Sequence, residues 1–169
     1  MEKEKIIEMR KAIKQKNIDV IRKMILDDSS LLNQVTPFGT FLHDAVSFGT
    51  IDIVKYFISC GIDVNKHGGP RDSGALTDAA FEGKIEIVKL LYENGAALDT
   101  SNFDRNPLFA AIYNDHFEVA KYLVEKGIDI KACYEVGSIK QCDACEYARQ
   151  YGRTKIYNYL KNVLNEKNR

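Results

Sequence analysis

Apolar residues recur along this chain in short bursts at helical spacing. Ile53, Val54, Phe57 and Ile58 stand at i, i+1, i+4 and i+5, a set repeated by Ile87, Val88, Leu91 and Tyr92 and by Val119, Ala120, Leu123 and Val124. Each set paints a broad apolar stripe on one helical face. A shorter helix is predicted before each, the first carrying Leu42, Ala45 and Val46 on one side. Gly49 and Gly83 follow the shorter helices and are expected to take the left-handed conformation there. Asp115 holds that place a third time and tolerates it better than most residues. Gly61, Gly95 and Gly127 end the longer helices. Ile62-Asp63-Val64 and Ile128-Asp129-Ile130 then alternate in the manner of extended hairpin arms.

These bursts share one register. Thr40-Phe41-Leu42-His43-Asp44-Ala45 aligns with Gly74-Ala75-Leu76-Thr77-Asp78-Ala79 and with Asn106-Pro107-Leu108-Phe109-Ala110-Ala111. Leu76 follows Leu42 by 34 residues, and Leu108 follows Leu76 by 32. Weaker copies flank the three: Ile18-Asp19-Val20-Ile21 matches Ile51-Asp52-Ile53-Val54, and Asp143-Ala144-Cys145-Glu146-Tyr147-Ala148 precedes Gly152. Cys145 takes the place of the repeated Leu, and the connection before it is about four residues longer than the usual period. Ala45, Ala79, Ala111 and Ala148 are small, which lets neighbouring helices approach closely.

The period and the Thr-x-Leu-His-x-Ala run resemble the ankyrin repeat, a unit of about 33 residues. The resemblance extends over roughly residues 5–164. It implies an all-α ankyrin-repeat solenoid of about five stacked helix-turn-helix units with short β-hairpin or loop fingers. As one domain spanning 1–169, the chain divides into an N-terminal capping unit (1–35), three repeats (36–69, 70–103 and 104–135) and a C-terminal capping unit (136–169). Stacked units bury a continuous core that no single unit supplies, and terminal units present polar outer faces. Glu2, Lys3, Glu4, Lys5, Glu8, Arg10, Lys11, Lys14 and Lys16 suit the first cap; Lys161, Asn162, Asn165, Glu166 and Lys167 suit the last.

Composition narrows the function. Lys and Arg number 24 against 24 Asp and Glu, so the basic excess of a nucleic-acid binder is missing. The charged first ten residues carry no secretory h-region. No apolar run approaches the roughly 18 residues of a membrane span. A cytoplasmic chain that is monomeric when unbound is expected, with Cys60, Cys133, Cys142 and Cys145 as free thiols. Cys142-x-x-Cys145 invites a metal reading, but a structural zinc site wants four ligands and only Cys133 stands nearby. Cys145, in the place of a buried Leu, is expected to pack as a small apolar residue. Gly68-Gly69-Pro70 lacks the Lys-Ser/Thr of a phosphate loop. His43, at the signature His, is expected to tie the hairpin to neighbouring backbone. No enzyme, cofactor or metal is expected.

The resemblance implies a concave surface lined by hairpin tips and by the exposed side of each first helix, where a protein partner docks. By register those positions are Asp44, Ser47 and Phe48; Asp78, Phe81 and Glu82; Ala110, Tyr113 and Asn114; and Tyr147, Gln150 and Tyr151. Each unit thereby contributes an aromatic side chain, the residue class enriched at binding hot spots. With Asp44, Asp78 and Glu82 beside them, a partner with basic and apolar features is expected. The hairpin tips add Arg71, Phe103 and Arg105 as candidates. Two narrower alternatives follow. One is an immunity protein neutralising a cognate toxin, since this chain's bias of 17 Lys to 7 Arg resembles that of small bacterial ankyrin proteins. The other is a self-associating structural protein.

Overall fold

The apolar stripes fold as five helix pairs in a computed structural model that describes residues 2–167. The pairs are α1 (Glu2–Lys14) with α2 (Ile18–Asp27), α3 (Phe41–Phe48) with α4 (Ile51–Ser59), α5 (Ala75–Phe81) with α6 (Ile85–Glu93), α7 (Pro107–Tyr113) with α8 (Phe117–Glu125), and α9 (Ala144–Gln150) with α10 (Thr154–Lys167). A 3-10 turn, Ser29–Asn33, follows α2. Met1, Asn168 and Arg169, within the expected domain bounds, lie outside the described residues, as do the side chains of the expected cap residues Glu2 and Lys167.

The residues gather into two compact units. Unit 1 runs to Ala79 and includes Glu86–Ala97; unit 2 comprises Ala80–Ile85 and the chain from Leu98 onward. In unit 1 the stripes of α1 to α4 meet in a core containing Met9, Ile13, Ile21, Leu42, Val46, Ile53, Val54 and Phe57. In unit 2 the corresponding side chains are Leu108, Ile112, Val119, Leu123, Ile156 and Leu160. The four signature alanines are fully buried.

Local chemistry starts the helices. Thr40 caps α3: its hydroxyl accepts from Leu42 N at 3.2 Å, while His43 Nδ1 accepts from Thr40 N at 3.1 Å. His43 thus takes the part usually played by Glu in a capping box. With Nδ1 accepting, Nε2 carries the proton and donates to the Ser73 carbonyl at 2.9 Å, which is the expected tie to neighbouring backbone. Asn106, fully buried, caps α7 ahead of Pro107, and Asp143 caps α9.

Two expectations about the backbone are corrected. Gly49 has φ −80°, not a left-handed value. A Cβ there would stand 2.7 Å from the Ala45 carbonyl oxygen, so the position demands space rather than a special dihedral. Gly83 and Asp115 are left-handed, at φ 71° and 61°. Ile62-Asp63-Val64 and Ile128-Asp129-Ile130 are not strands. The Asp63 and Asp129 carboxylates accept from the backbone two residues on, at 2.9 Å each, and bend the chain into turns while Ile62, Ile128 and Ile130 drop into the core. The strand pairs lie elsewhere: β1 (Val35–Thr36) with β2 (Gly39–Thr40), and β3 (Tyr134–Val136) with β4 (Ile139–Cys142). The second hairpin occupies the lengthened last connection.

Candidate functional site

In unit 1 the end of α3 and the turns around it carry the positions singled out by register. Phe48, its last residue, is 46% exposed, with the Lys14 ammonium 4.8 Å from its ring centroid. Ser47 is half-buried. Asp44 is only 3% exposed, and both of its carboxylate oxygens accept from Arg10, at 2.8 and 3.0 Å. The Arg10 guanidinium lies 4.0 Å from the Phe38 ring centroid. Asp78 bonds the Ser73 hydroxyl at 3.0 Å and the Arg71 guanidinium at 3.2 Å. Asp44, expected on the partner-facing surface, is therefore corrected. It is buried and neutralised from α1, while the half-buried Asp78 pairs with Arg71.

In unit 2 the aromatic residues come together. Phe81 ends α5 and stacks on Tyr113, which ends α7, with centroids 5.9 Å apart and planes at 16°. Tyr113 in turn meets Tyr151, just beyond α9, at 5.4 Å. Tyr113 is 44% exposed and Tyr151 41%, while Phe81 is half-buried. The row is held from beneath. Asn114 and His116 both donate to the Phe81 carbonyl, and Arg153 donates to the Tyr113 carbonyl. A Cβ on Gly83 would meet the His116 ring at 2.5 Å, so only glycine lets that imidazole reach its carbonyl. Asn114 is thus spent on fixing the backbone. Gln150 bonds Glu146, whose carboxyl is held down at about 2 by the Arg149 guanidinium first and Gln150 second. Glu82 pairs with Lys84 at 2.6 Å.

Below the row lies an aromatic cluster. Tyr147 packs on Tyr151 at 4.5 Å and on Phe109 at 4.9 Å, and burial, then the Tyr151 hydroxyl, pushes its phenol well above the ordinary range. Phe103 packs edge-on against Phe109 and Tyr147 at 5.5 Å each and against Tyr134 at 6.2 Å. Tyr147, 2% exposed, is corrected accordingly: it anchors the unit from inside, while Phe103 is half-buried and packs one side on this cluster. Arg105 is half-buried, its backbone N–H bonded to Asn102. The register had no way to flag Tyr134, whose hydroxyl donates to the Thr100 carbonyl at 2.8 Å and accepts from Asn106 at 3.0 Å. Its signal was an aromatic residue opening a lengthened connection. Phe38, 57% exposed at the β1–β2 turn, was also missed, although an aromatic between Pro37 and Gly39 marks it.

Cys145, expected to pack in the place of a buried Leu, is less buried than Cys142. Cys142, at the end of β4, is fully buried and Cys145 only partly so, and burial raises both thiols. Among the described residues, no three His, Cys, Asp or Glu side chains converge in a way that would hold a metal ion, and no helix is long and apolar enough to cross a membrane.

A family model described as ankyrin repeats (3 copies) matches residues 42–134 and, in a second alignment, 76–168. The chain belongs to the ankyrin-repeat family. Its five helix pairs and short hairpins are the family's all-α fold. An ankyrin repeat protein of Rickettsia felis is 34% identical over 117 residues, which is 68% of this chain and 28% of that protein. Alpha-latrocrustotoxin-Lt1a of Latrodectus tredecimguttatus is 35% identical over 119 residues, 68% of this chain and 8% of that one. The E3 ubiquitin-protein ligase Ufd4 of Drosophila melanogaster is 35% identical over 120 residues, 68% of this chain and 4% of that one. The ankyrin-repeat chain thus spans less than a third of each of these relatives. Ankyrin repeats generally mediate protein–protein interaction, and the family is generally non-catalytic.

Proposed function

We propose that this ankyrin-repeat chain binds a protein partner without catalysing a reaction, and that the row Phe81, Tyr113 and Tyr151 in unit 2 is the anchor. The observation that carries the reading is the partial exposure of these rings on a rigid base. Tyr113 and Tyr151 keep over two-fifths of their surface in solvent while their neighbours, caps and carbonyl ties fix their positions. A pre-ordered aromatic surface pays little entropy on binding, and each ring removes a large apolar area from water. The phenol hydroxyls at its rim supply hydrogen bonds that set orientation.

The test is affinity capture followed by mass spectrometry, comparing the native chain with a Tyr113→Ala/Tyr151→Ala variant shown by circular dichroism to be folded. Hot-spot truncations cost about 1–2 kcal/mol each, so the captured partner should bind the variant roughly 30-fold or more weakly. Equal capture by both proteins contradicts the assignment of this face.

A further inference from the structure

We infer that unit 1 carries a second docking surface on the outer face of α1, and that its occupant is an acidic protein segment bearing an apolar side chain. At about 3.6 residues per turn, Ile7, Arg10, Lys11 and Lys14 share a face of α1 roughly 100° wide. A cleft of about 440 Å³ lies against these four side chains and Gln15, with no carboxylate in its lining. Ile7, an aliphatic side chain, is 67% exposed there. Arg10 continues the surface to Phe38, and Lys14 continues it to Phe48. Cations and exposed apolar groups therefore alternate across one patch of unit 1.

Charge accounting selects the occupant. The Arg10 charge is already met by Asp44, which leaves the exposed Lys11 and Lys14 as the cations of the cleft, with the exposed Lys3 on the same face of α1 one turn before Ile7. The chain's formal charge is zero, so this is a local field, felt within about 10 Å at ordinary salt. Three lysines bordered on the same helix by Glu4 and Glu8 make too short a track for a nucleic-acid backbone, whose affinity comes from many phosphate contacts. An exposed isoleucine between them adds nothing for a polyphosphate but suits a Leu, Ile or Phe of a peptide. A segment with one or two carboxylates flanking an apolar anchor satisfies both kinds of group. This surface is separate in sequence and chemistry from the tyrosine row of unit 2, and the two stand or fall independently.

The experiment selects a phage-displayed random library of about 12-residue peptides (long enough to span a patch of this kind) on the full chain, with counter-selection on a folded Lys11→Glu/Lys14→Glu variant. Selected peptides are then synthesised with a fluorescent label and titrated by anisotropy. The expected result is enrichment of Asp or Glu beside Leu, Ile or Phe. Binding should fall at least tenfold in the lysine variant and also in Ile7→Ser, and should stay unchanged in Tyr113→Ala/Tyr151→Ala. No enrichment, enrichment of neutral or basic peptides, or equal binding to the lysine variant overturns the inference. So does tighter lysine-dependent binding of single-stranded DNA or of phosphatidylserine/phosphatidylcholine vesicles, which would make the patch a polyanion site. Peptides lost only in the tyrosine variant overturn it too, while leaving the unit 2 reading in place.

Discussion

Replacing Asp44 with Asn removes one charge and little else. The carboxylate is 3% exposed and holds Arg10 through two bonds, at 2.8 and 3.0 Å, across 34 residues of sequence. The Arg10 side chain retains 19% of its exposure. Stranding one partner of a buried pair costs about 3–5 kcal/mol, and the access left to Arg10 places Asp44→Asn at the lower end, about 3 kcal/mol. Arg10→Met together with Asp44→Leu replaces both partners by apolar groups and should restore most of that loss, because a buried pair is worth little against well-packed hydrocarbon. With a urea dependence of about 2 kcal/mol per molar, the single variant's midpoint should fall by about 1.5 M. Urea unfolding followed by circular dichroism supplies the midpoints, and hydrogen exchange of α1 and α3 amides assigns the loss to unit 1. A single-variant loss below about 1 kcal/mol that vanishes in high salt would identify an ordinary surface pair. It would refute the claim that Asp44 serves the fold rather than the partner.

Three further outcomes are expected. Gly49→Ala should cost about 2 kcal/mol because its Cβ meets the Ala45 carbonyl, while Gly61→Ala, left-handed but in open space, should cost about 1 kcal/mol; thermal unfolding of the two variants compares them directly. His43→Ala removes the acceptor for Thr40 N and the donor to Ser73 O, at about 3 kcal/mol, with faster exchange of the Thr40 amide by NMR. Glu146 has a folded pKa lowered to about 2, so the stability it contributes is fully present above the ordinary carboxylate range and lost as pH falls toward 2. The stability gap between native chain and Glu146→Gln should accordingly be flat near neutrality and close across that acid window, and a carboxyl titration midpoint near 4.5 in the folded chain would contradict it.

The fold was legible because its signals are local and repeat. Leu42, Leu76 and Leu108 in register, with Ala45, Ala79 and Ala111, require only neighbours a few residues away to make sense. His43 could be placed for the same reason, since Thr40 lies three residues before it. The site was legible in kind but not in detail. Register brought Phe81, Tyr113 and Tyr151 to the same end of successive first helices, but it could not reveal that Arg10 reaches Asp44 from 34 residues upstream, nor that Arg71 turns back on Asp78. An acid at a surface position reads as available until its cation is found, and long-range pairs leave no periodic trace. Phe103 is a related case, half-buried where its loop position suggested a free tip. A loop aromatic reads as a tip, but the partners that draw it inward, Phe109, Tyr134 and Tyr147, are themselves scattered over three elements. Gly49 and Gly83 occupy the same register position for different reasons, one for a close carbonyl and one for a left-handed backbone beside His116.

The central claim is that the aromatic row of unit 2 is where a partner protein docks. Site-specific photo-crosslinking addresses it most directly, with a benzophenone-bearing residue placed singly at Tyr113, at Tyr151 and, as a control on α8, at the exposed Glu125. Irradiation in lysate of the source cells should join the same protein to the chain from positions 113 and 151 and none from 125. A crosslink from 125 with silence at 113 and 151 would contradict the account and move the docking face to α8.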